Sequence, residues 1–202
     1  MTVLIFANGE LTDTDWIRPR LEQATSIIAA DGGIRHLLAV DLWPDVLIGD
    51  MDSLPTEVEG LLPETDTEVV TFSHDKNETD LELALLYAAE HFQGPIEIYG
   101  AIGGRLDQTL ANILLLAHPA LEDRSVHLVQ PNEEVWLVVD RTEIAGEPGD
   151  IVSLIPLQGD VEIKDTSGLR WPLHNETLIF GRARGVSNEM VGNYGDCRAD
   201  QR

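Results

Sequence analysis

A rhythm that holds for the first two-thirds of the chain and then stops limits the possible folds more than any other feature. Short apolar runs at residues 3–7, 25–30, 46–48, 68–72 and 96–99 are bounded by Gly, Asp or Pro. Runs this short, rich in β-branched residues, read as buried strands. Between them lie segments of helical period. Residues 79–92 bring Leu81, Ala84, Leu85 and Ala88 to one face, and Thr79-x-x-Glu82 forms a capping box at the start. Residues 105–117 set Leu106, Leu110, Ile113 and Leu114 on one side, with Pro119 closing the helix. Strands alternating with helices predict βαβ units and a mainly parallel sheet covered on both faces.

Near Pro131 the pattern changes. Strand-like runs at 135–139, 151–156, 161–163 and 177–180, separated by Gly, Asp and Asn turns, predict a small antiparallel β-domain, a sandwich or partial barrel. The expected fold is therefore an α/β domain over residues 1–130 followed by a β-sandwich domain over residues 131–202. A β-unit of that size buries little surface alone and gains from a neighbour or a second copy of itself.

Charge removes two classes of partner. Thirteen Lys and Arg against 36 Asp and Glu leave a formal charge of −23. A nucleic-acid binder needs a basic footprint, and an anionic membrane surface repels such a chain. Cys197 is the only cysteine, so no internal disulfide and no cysteine-based zinc site is expected. No run of about 18 apolar residues is present, and the first residues lack a basic start and a small-residue cleavage site. A soluble, cytoplasmic protein is expected. The two lysines, Lys76 and Lys164, lie outside any G-x-x-x-x-G-K-[ST] loop, and Gly100, Gly103 and Gly104 read G-x-x-G-G rather than G-x-G-x-x-G. A nucleotide here would be held by another route.

Ligands in open α/β sheets bind outside the carboxyl ends of the strands. Four expected strands end in Gly plus carboxylate or in an acidic loop: Asp31-Gly32-Gly33, Gly49-Asp50-Met51-Asp52-Ser53, His74-Asp75-Lys76-Asn77-Glu78-Thr79-Asp80, and Gly100 through Asp107. One such loop is an ordinary turn; four at one edge look like a site. Asp50-x-Asp52 can face a hard cation such as Mg²⁺, or be a solvated acidic turn. Asp80 fits the same role, although a helix N-terminus favours a carboxylate anyway. Asp75-x-Asn77-x-Thr79 resembles half an EF-hand loop, but Asp80 stands where glycine is required, which argues against calcium. Gly103-Gly104-Arg105 opens a helix suited to phosphate, Lys76 is a second phosphate partner or a plain surface lysine, and Asp107 is a helix N-terminal carboxylate or an anchor for Arg105. In the β-region, Trp171 between Arg and Pro is placed to stack on a flat cation, and Ser187 and Asn188 offer donors and acceptors for a heterocycle, or else are packing and turn residues.

Read in order, ADGG at 30–33, PDVLIGDMDS at 44–53, KNETD at 76–80, GGRLDQ at 103–108, GLRWPL at 168–173 and RGVSNE at 184–189 resemble the thiamine pyrophosphokinase family over nearly the whole chain. The resemblance implies an α/β nucleotide domain with a β-sandwich domain, acting as a homodimer with thiamine held between subunits. It implies transfer of the pyrophosphoryl group of ATP to thiamine with Mg²⁺. By motif position Asp50, Asp52 and Asp80 would hold the metal, with Arg105 and Asp107 joining them in catalysis. Asp31, Gly32, Gly33, Lys76, Asn77, Thr79, Gly104 and Arg105 would line the ATP side. Trp171 would stack on thiamine, with Ser187 and Asn188 on its pyrimidine. Three departures stand out. Asn77 replaces a common Asp, Gln108 replaces a usual His, and residues 190–202 lack the closing apolar strand, so either the sequence is cut short or the last strand position is left open, which would expose an edge. A D-x-D nucleotide-sugar transferase and a non-catalytic thiamine or nucleotide sensor are the competing readings.

Overall fold

A computed structural model describes residues 2–12, 14–51, 54, 56–73 and 75–200, and the chain divides into two units, Met1–Leu137 and Val138–Arg202. The first unit carries seven strands: β1 (Thr2–Phe6), β2 (Ala24–Ala30), β3 (Val46–Gly49), β4 (Glu68–Thr71), β5 (Ile96–Tyr99), β6 (Val126–Gln130) and β7 (Glu133–Trp136). Their order is β4-β3-β2-β1-β5-β6-β7. Every neighbouring pair is parallel except β6–β7. Parallel pairs need crossovers, and α1 (Arg18–Leu21), α2 (Ile34–Leu38), α3 (Thr56–Leu61), α4 (Asp80–His91) and α5 (Leu106–Leu115) lie within them. The mainly parallel sheet is as expected.

Alternation along the strands splits the core into two layers. Val3, Ile5, Ile28, Ile48 and Ile98 pack with Leu81, Ala84, Leu85 and Ala88 of α4. Leu4, Phe6, Ala29, Leu47 and Tyr99 pack on the other face with Ile17, Ile34 and Leu37. Strands covered on both sides have no polar face, which is why they read as unbroken apolar runs. The exception is β4, an edge strand with Glu68, Val69 and Thr71 exposed. The capping box forms in part as read: Thr79 Oγ1 accepts from the Glu82 N–H at 3.2 Å.

Two expectations fail in this unit. The first domain does not stop at residue 130, because Pro131 and Asn132 form the turn of a β6–β7 hairpin and β7 completes the parallel sheet antiparallel at its edge. Proline suits a turn as well as a boundary, and the division falls after Leu137. Three leucines of the α5 stripe face outward, Leu106 at 81% exposed, Leu110 at 55% and Leu114 at 49%, while Ile113 packs half-buried against the first core layer. The residue that α5 buries is Asn112, whose Nδ2 donates to the Ala101 carbonyl at 2.7 Å.

The second unit contains β8 (Arg141–Ala145), β9 (Ile151–Val152), β10 (Val161–Ser167), β11 (His174–Leu178), β12 (Asn188–Glu189) and β13 (Tyr194–Asp200). Four form an antiparallel sheet in the order β11-β10-β13-β8, and β12 pairs with β9. The missing last strand is therefore present. β13 fills an interior position between β10 and β8, leaving no open edge there. Its inward residues are Gly195, Cys197 and Ala199, too small to announce a strand by hydrophobicity. A Cβ on Gly195 would approach the Ser167 carbonyl to 3.0 Å, so the smallness suits a tight packing site. Ile163, Leu173 and Leu178 complete this small core.

Burial in β13 pushes the Cys197 thiol up to about 11, with Asp196 adding to the shift. The folded value lies above that of an unfolded thiol, about 8.5. The associated stability is therefore complete below that pH and lost as pH rises toward the folded value. A thiol reagent at pH 8 is expected to label Cys197 only after denaturation; rapid labelling of the native chain would show that β13 is not seated. Among the described residues no helix is long and apolar enough to cross a membrane.

Candidate active site

The strand order contains one reversal. From β1 the chain runs outward through β2, β3 and β4, then returns to place β5 on the other side of β1. Crevices at such switch points hold ligands in α/β sheets. Backbone contacts interlock the loops that meet there. Gly9 N–H donates to the Gly100 carbonyl at 2.7 Å, and a Cβ on Gly9 would stand 2.2 Å from that oxygen. At Gly33 the same atom would stand 1.9 Å from the Phe6 carbonyl. Only glycine permits these approaches.

Asp31 is the most informative residue of this edge. Its backbone is left-handed at φ +46°, the residue is 6% exposed, and its buried Oδ1 has no hydrogen-bond partner among the described residues. An unsatisfied buried acceptor costs about 1–3 kcal/mol, and strained backbone concentrates at functional sites. A Cβ on Gly49 would come within 3.0 Å of the Asp31 Cβ, so the loop carrying Asp50 lies directly against it. The unpartnered Asp31 oxygen is of the type a hard divalent cation takes, while among the described residues no three His, Cys, Asp or Glu side chains gather as a metal-binding group. Asp52, with Ser53 and His74, lies outside the described residues.

At the carboxyl end of β4, Lys76 Nζ pairs with Asp80 Oδ1 at 2.5 Å and lies 5.7 Å from the Phe72 ring centre. Lys76 therefore neutralises one of the three expected metal ligands. Thr79 spends its hydroxyl as the α4 cap, and Asn77 is exposed. After β5, Gly103 and Gly104 are left-handed at φ +102° and +68°. No side chain caps α5 from its N-cap position, Arg105. Arg105 Nε and Nη2 donate to the two Asp107 oxygens at 3.1 and 2.6 Å, and Asp107 Oδ1 also accepts from the Gln108 N–H at 3.0 Å. Asp107 is thus both helix-terminal carboxylate and anchor. The Arg105 hydrogen bonds, with that from Gln108, hold its carboxyl below the usual range.

In the second unit Trp171, Ser187 and Asn188 come together. They line a pocket of about 170 Å³ with Leu173, Arg184, Gly185 and Val186. Trp171 is 48% exposed, with the Arg170 guanidinium 5.0 Å from its ring centre. Asn188 is committed to structure: its Oδ1 accepts from the Trp171 N–H at 3.0 Å and its Nδ2 donates to the Trp171 carbonyl at 2.7 Å. It therefore fixes the indole's backbone. Ser187 is left-handed at φ +61°.

Sequence reading missed the loop Asn8-Gly9-Glu10, which repeats the Gly-plus-carboxylate signal after the central strand. Glu10 Oε2 and Oε1 lie 3.9 Å from the positions Cβ atoms would take on Gly103 and Gly104. It also missed Arg35 and His36. Arg35 Nη1 donates to Asn8 Oδ1 at 2.5 Å, and Nη2 to the Asn8 and Gly9 carbonyls at 2.9 and 2.7 Å. Burial, then the charge of Arg35, lowers the pKa of His36, whose Nε2 donates to the Gly9 carbonyl at 3.0 Å. Arg184 was passed over as well; Glu176 balances its charge through contacts of 2.7 and 3.0 Å.

Comparison with known proteins decides the family. Residues 17–128 match the family model for the thiamin pyrophosphokinase catalytic domain, and residues 138–196 match that for its vitamin B1 binding domain. The chain belongs to the thiamine pyrophosphokinase family. Thiamine pyrophosphokinase of Bacillus subtilis is 26% identical over 196 residues, spanning 96% of this chain and 92% of that one. Thiamine pyrophosphokinase 1 of Oryza sativa is 30% identical over 201 residues, spanning 86% of this chain and 73% of that one. The crystal structure of the B. subtilis protein matches at TM-score 0.85 and 26% identity, covering 100% of this chain and 95% of that one. Yeast thiamin pyrophosphokinase matches at TM-score 0.82 and 19% identity over 99% and 83% of the two chains, a likeness of fold alone. The chain's activity as a thiamine pyrophosphokinase is transfer of the pyrophosphoryl group of ATP to thiamine. Neither the sugar-transferase nor the sensor reading is favoured by these similarities.

Proposed function

We propose that ATP lies along the carboxyl edge of the seven-stranded sheet and that thiamine enters the Trp171 pocket. The observation that carries the nucleotide reading is the buried Oδ1 of Asp31 beside the Asp50 loop, unpartnered among the described residues. Asp50, Asp52 and Asp80 would hold Mg²⁺, which when bound supplies charge neutralisation on phosphate oxygens. Lys76 leaves Asp80 to meet phosphate as that site fills. Gly32, Gly33 and Gly104 admit the nucleotide to the backbone, and the uncapped start of α5 faces anionic oxygens. Arg105, aimed by Asp107, adds positive charge. Asp107 itself is a poor base, because its pairing favours the ionised form.

In the reaction the thiamine hydroxyl oxygen bonds to the β-phosphorus of ATP as the bond from that phosphorus to the α–β bridging oxygen breaks. AMP departs with that oxygen, and the hydroxyl proton goes to solvent or phosphate. The chain's task is positioning and neutralisation, as in phosphoryl-type transfer generally. Its acidic field attracts cationic thiamine and repels ATP, so the local cations must do the recruiting.

The second unit is proposed as the thiamine-binding and dimerisation half of a cytoplasmic homodimer, with thiamine at the subunit boundary. Support comes from apolar surface left uncovered in one chain: Leu106, Leu110 and Leu114 on α5, and Ile155, Val191 and Tyr194 in the second unit. Each buried leucine contributes about 2 kcal/mol. Incubation with ATP, thiamine and Mg²⁺ is expected to yield thiamine diphosphate and AMP in equal amounts, with light scattering at twice the chain mass. ADP as the sole nucleotide product, or a monomer at full activity, would sink the corresponding half of the proposal.

A further inference from the structure

Among the loops at the switch point, that of β1 is held by a side chain to which neither the family motifs nor the mechanism gives a role. Arg35 follows the Asp31–Gly33 turn and reaches back to the β1 loop, using both terminal nitrogens on Asn8 Oδ1 and on the Asn8 and Gly9 carbonyls. Gly9 in turn donates to the Gly100 carbonyl, where the β5 loop begins. One guanidinium therefore ties together the loops after β2, β1 and β5, which carry Asp31, Glu10 and Gly103–Arg105. A planar fork satisfying several acceptors sets orientation more tightly than a point charge.

We propose that Arg35 is a positioning residue for the nucleotide, setting the β1 loop and through Gly9 the β5 glycine loop at the spacing the phosphates require. This rests on the nucleotide reading of the crevice. The chain also supplies a matched control. Arg124 makes the same kind of clamp at the opposite edge of the sheet, donating to the Ala89, Phe92 and Gly94 carbonyls at 3.1, 2.8 and 2.9 Å. Gly94 precedes β5 and Arg124 precedes β6, so this clamp sits at the amino ends.

The experiment compares Arg35→Met with Arg124→Met in steady-state kinetics and thermal melting. Both are expected to lose similar stability. Arg35→Met is expected to raise KM for ATP about tenfold or more, with KM for thiamine within about twofold, while Arg124→Met leaves both near wild type. Arg35→Lys is expected to recover the ATP KM only in part, since ammonium lacks the fork. Should Arg35→Met fail to fold, Asn8→Ala removes one of its three acceptors and is expected to shift the ATP KM in the same direction by about threefold. An ATP KM in Arg35→Met or Asn8→Ala no different from that of Arg124→Met would overturn the proposal. Absence of thiamine diphosphate formation by the wild type would instead remove the nucleotide reading beneath it.

Discussion

Asp50→Asn is expected to lower kcat/KM by about 10²–10³-fold, the loss typical of removing one group that stabilises transferring charge. Gly49 brings the Asp50 loop against Asp31, whose buried oxygen has no partner among the described residues. An acidic loop set against a buried carboxylate is eased by a cation bound beside it. Asparagine keeps the shape and one acceptor of Asp50 while removing the charge, so metal affinity and neutralisation at the phosphates fall together. Part of the loss should return as Mg²⁺ is raised, since weakened binding yields to mass action. Near-normal turnover at every Mg²⁺ concentration would remove Asp50 from the metal site.

The second large effect concerns folding. At a formal charge of −23 over 202 residues, self-repulsion works against the compact state. Salt shortens the range of that repulsion, from about 10 Å at 0.1 M to about 3 Å at 1 M. Raising KCl from 0.1 to 2 M is therefore expected to raise Tm by about 10 °C or more, corresponding to several kcal/mol for a chain of this length. The small core of the second unit should make that unit the more sensitive. Charge reversal separates screening from general salting-out. Glu122→Lys with Asp123→Lys, both at exposed positions, is expected to raise Tm at low salt and flatten the salt dependence. A Tm that is flat or falls with KCl, or a slope unchanged by the double reversal, would show that repulsion does not limit stability.

What could be read directly from the residues was whatever local chemistry announces. Apolar runs covered on both faces identified β1, β2, β3 and β5, and the Thr79 cap placed the start of α4, because burial and capping leave periodic, nearby signatures. The same held for the acidic loops, since strands that run parallel must end at one edge. Motif order then pointed to the family, and the matched domains bear it out.

Other features depend on partners distant in sequence. β13 carries Gly195, Cys197 and Ala199 inward because its neighbours leave little room, and no pattern within residues 190–202 conveys that space. β7 belongs to the parallel sheet because a hairpin returns it to β6, while Leu106, Leu110 and Leu114 of α5 lie exposed and Asn112 turns inward to Ala101. Arg35 acquires its role only once folding brings Asn8 to it from 27 positions away. Local sequence thus settled the elements and the chemical character of their loops. Which small residues are buried, which strand lies beside which, and which side chain braces the site were settled by chain packing, since each depends on atoms that meet only in the folded state.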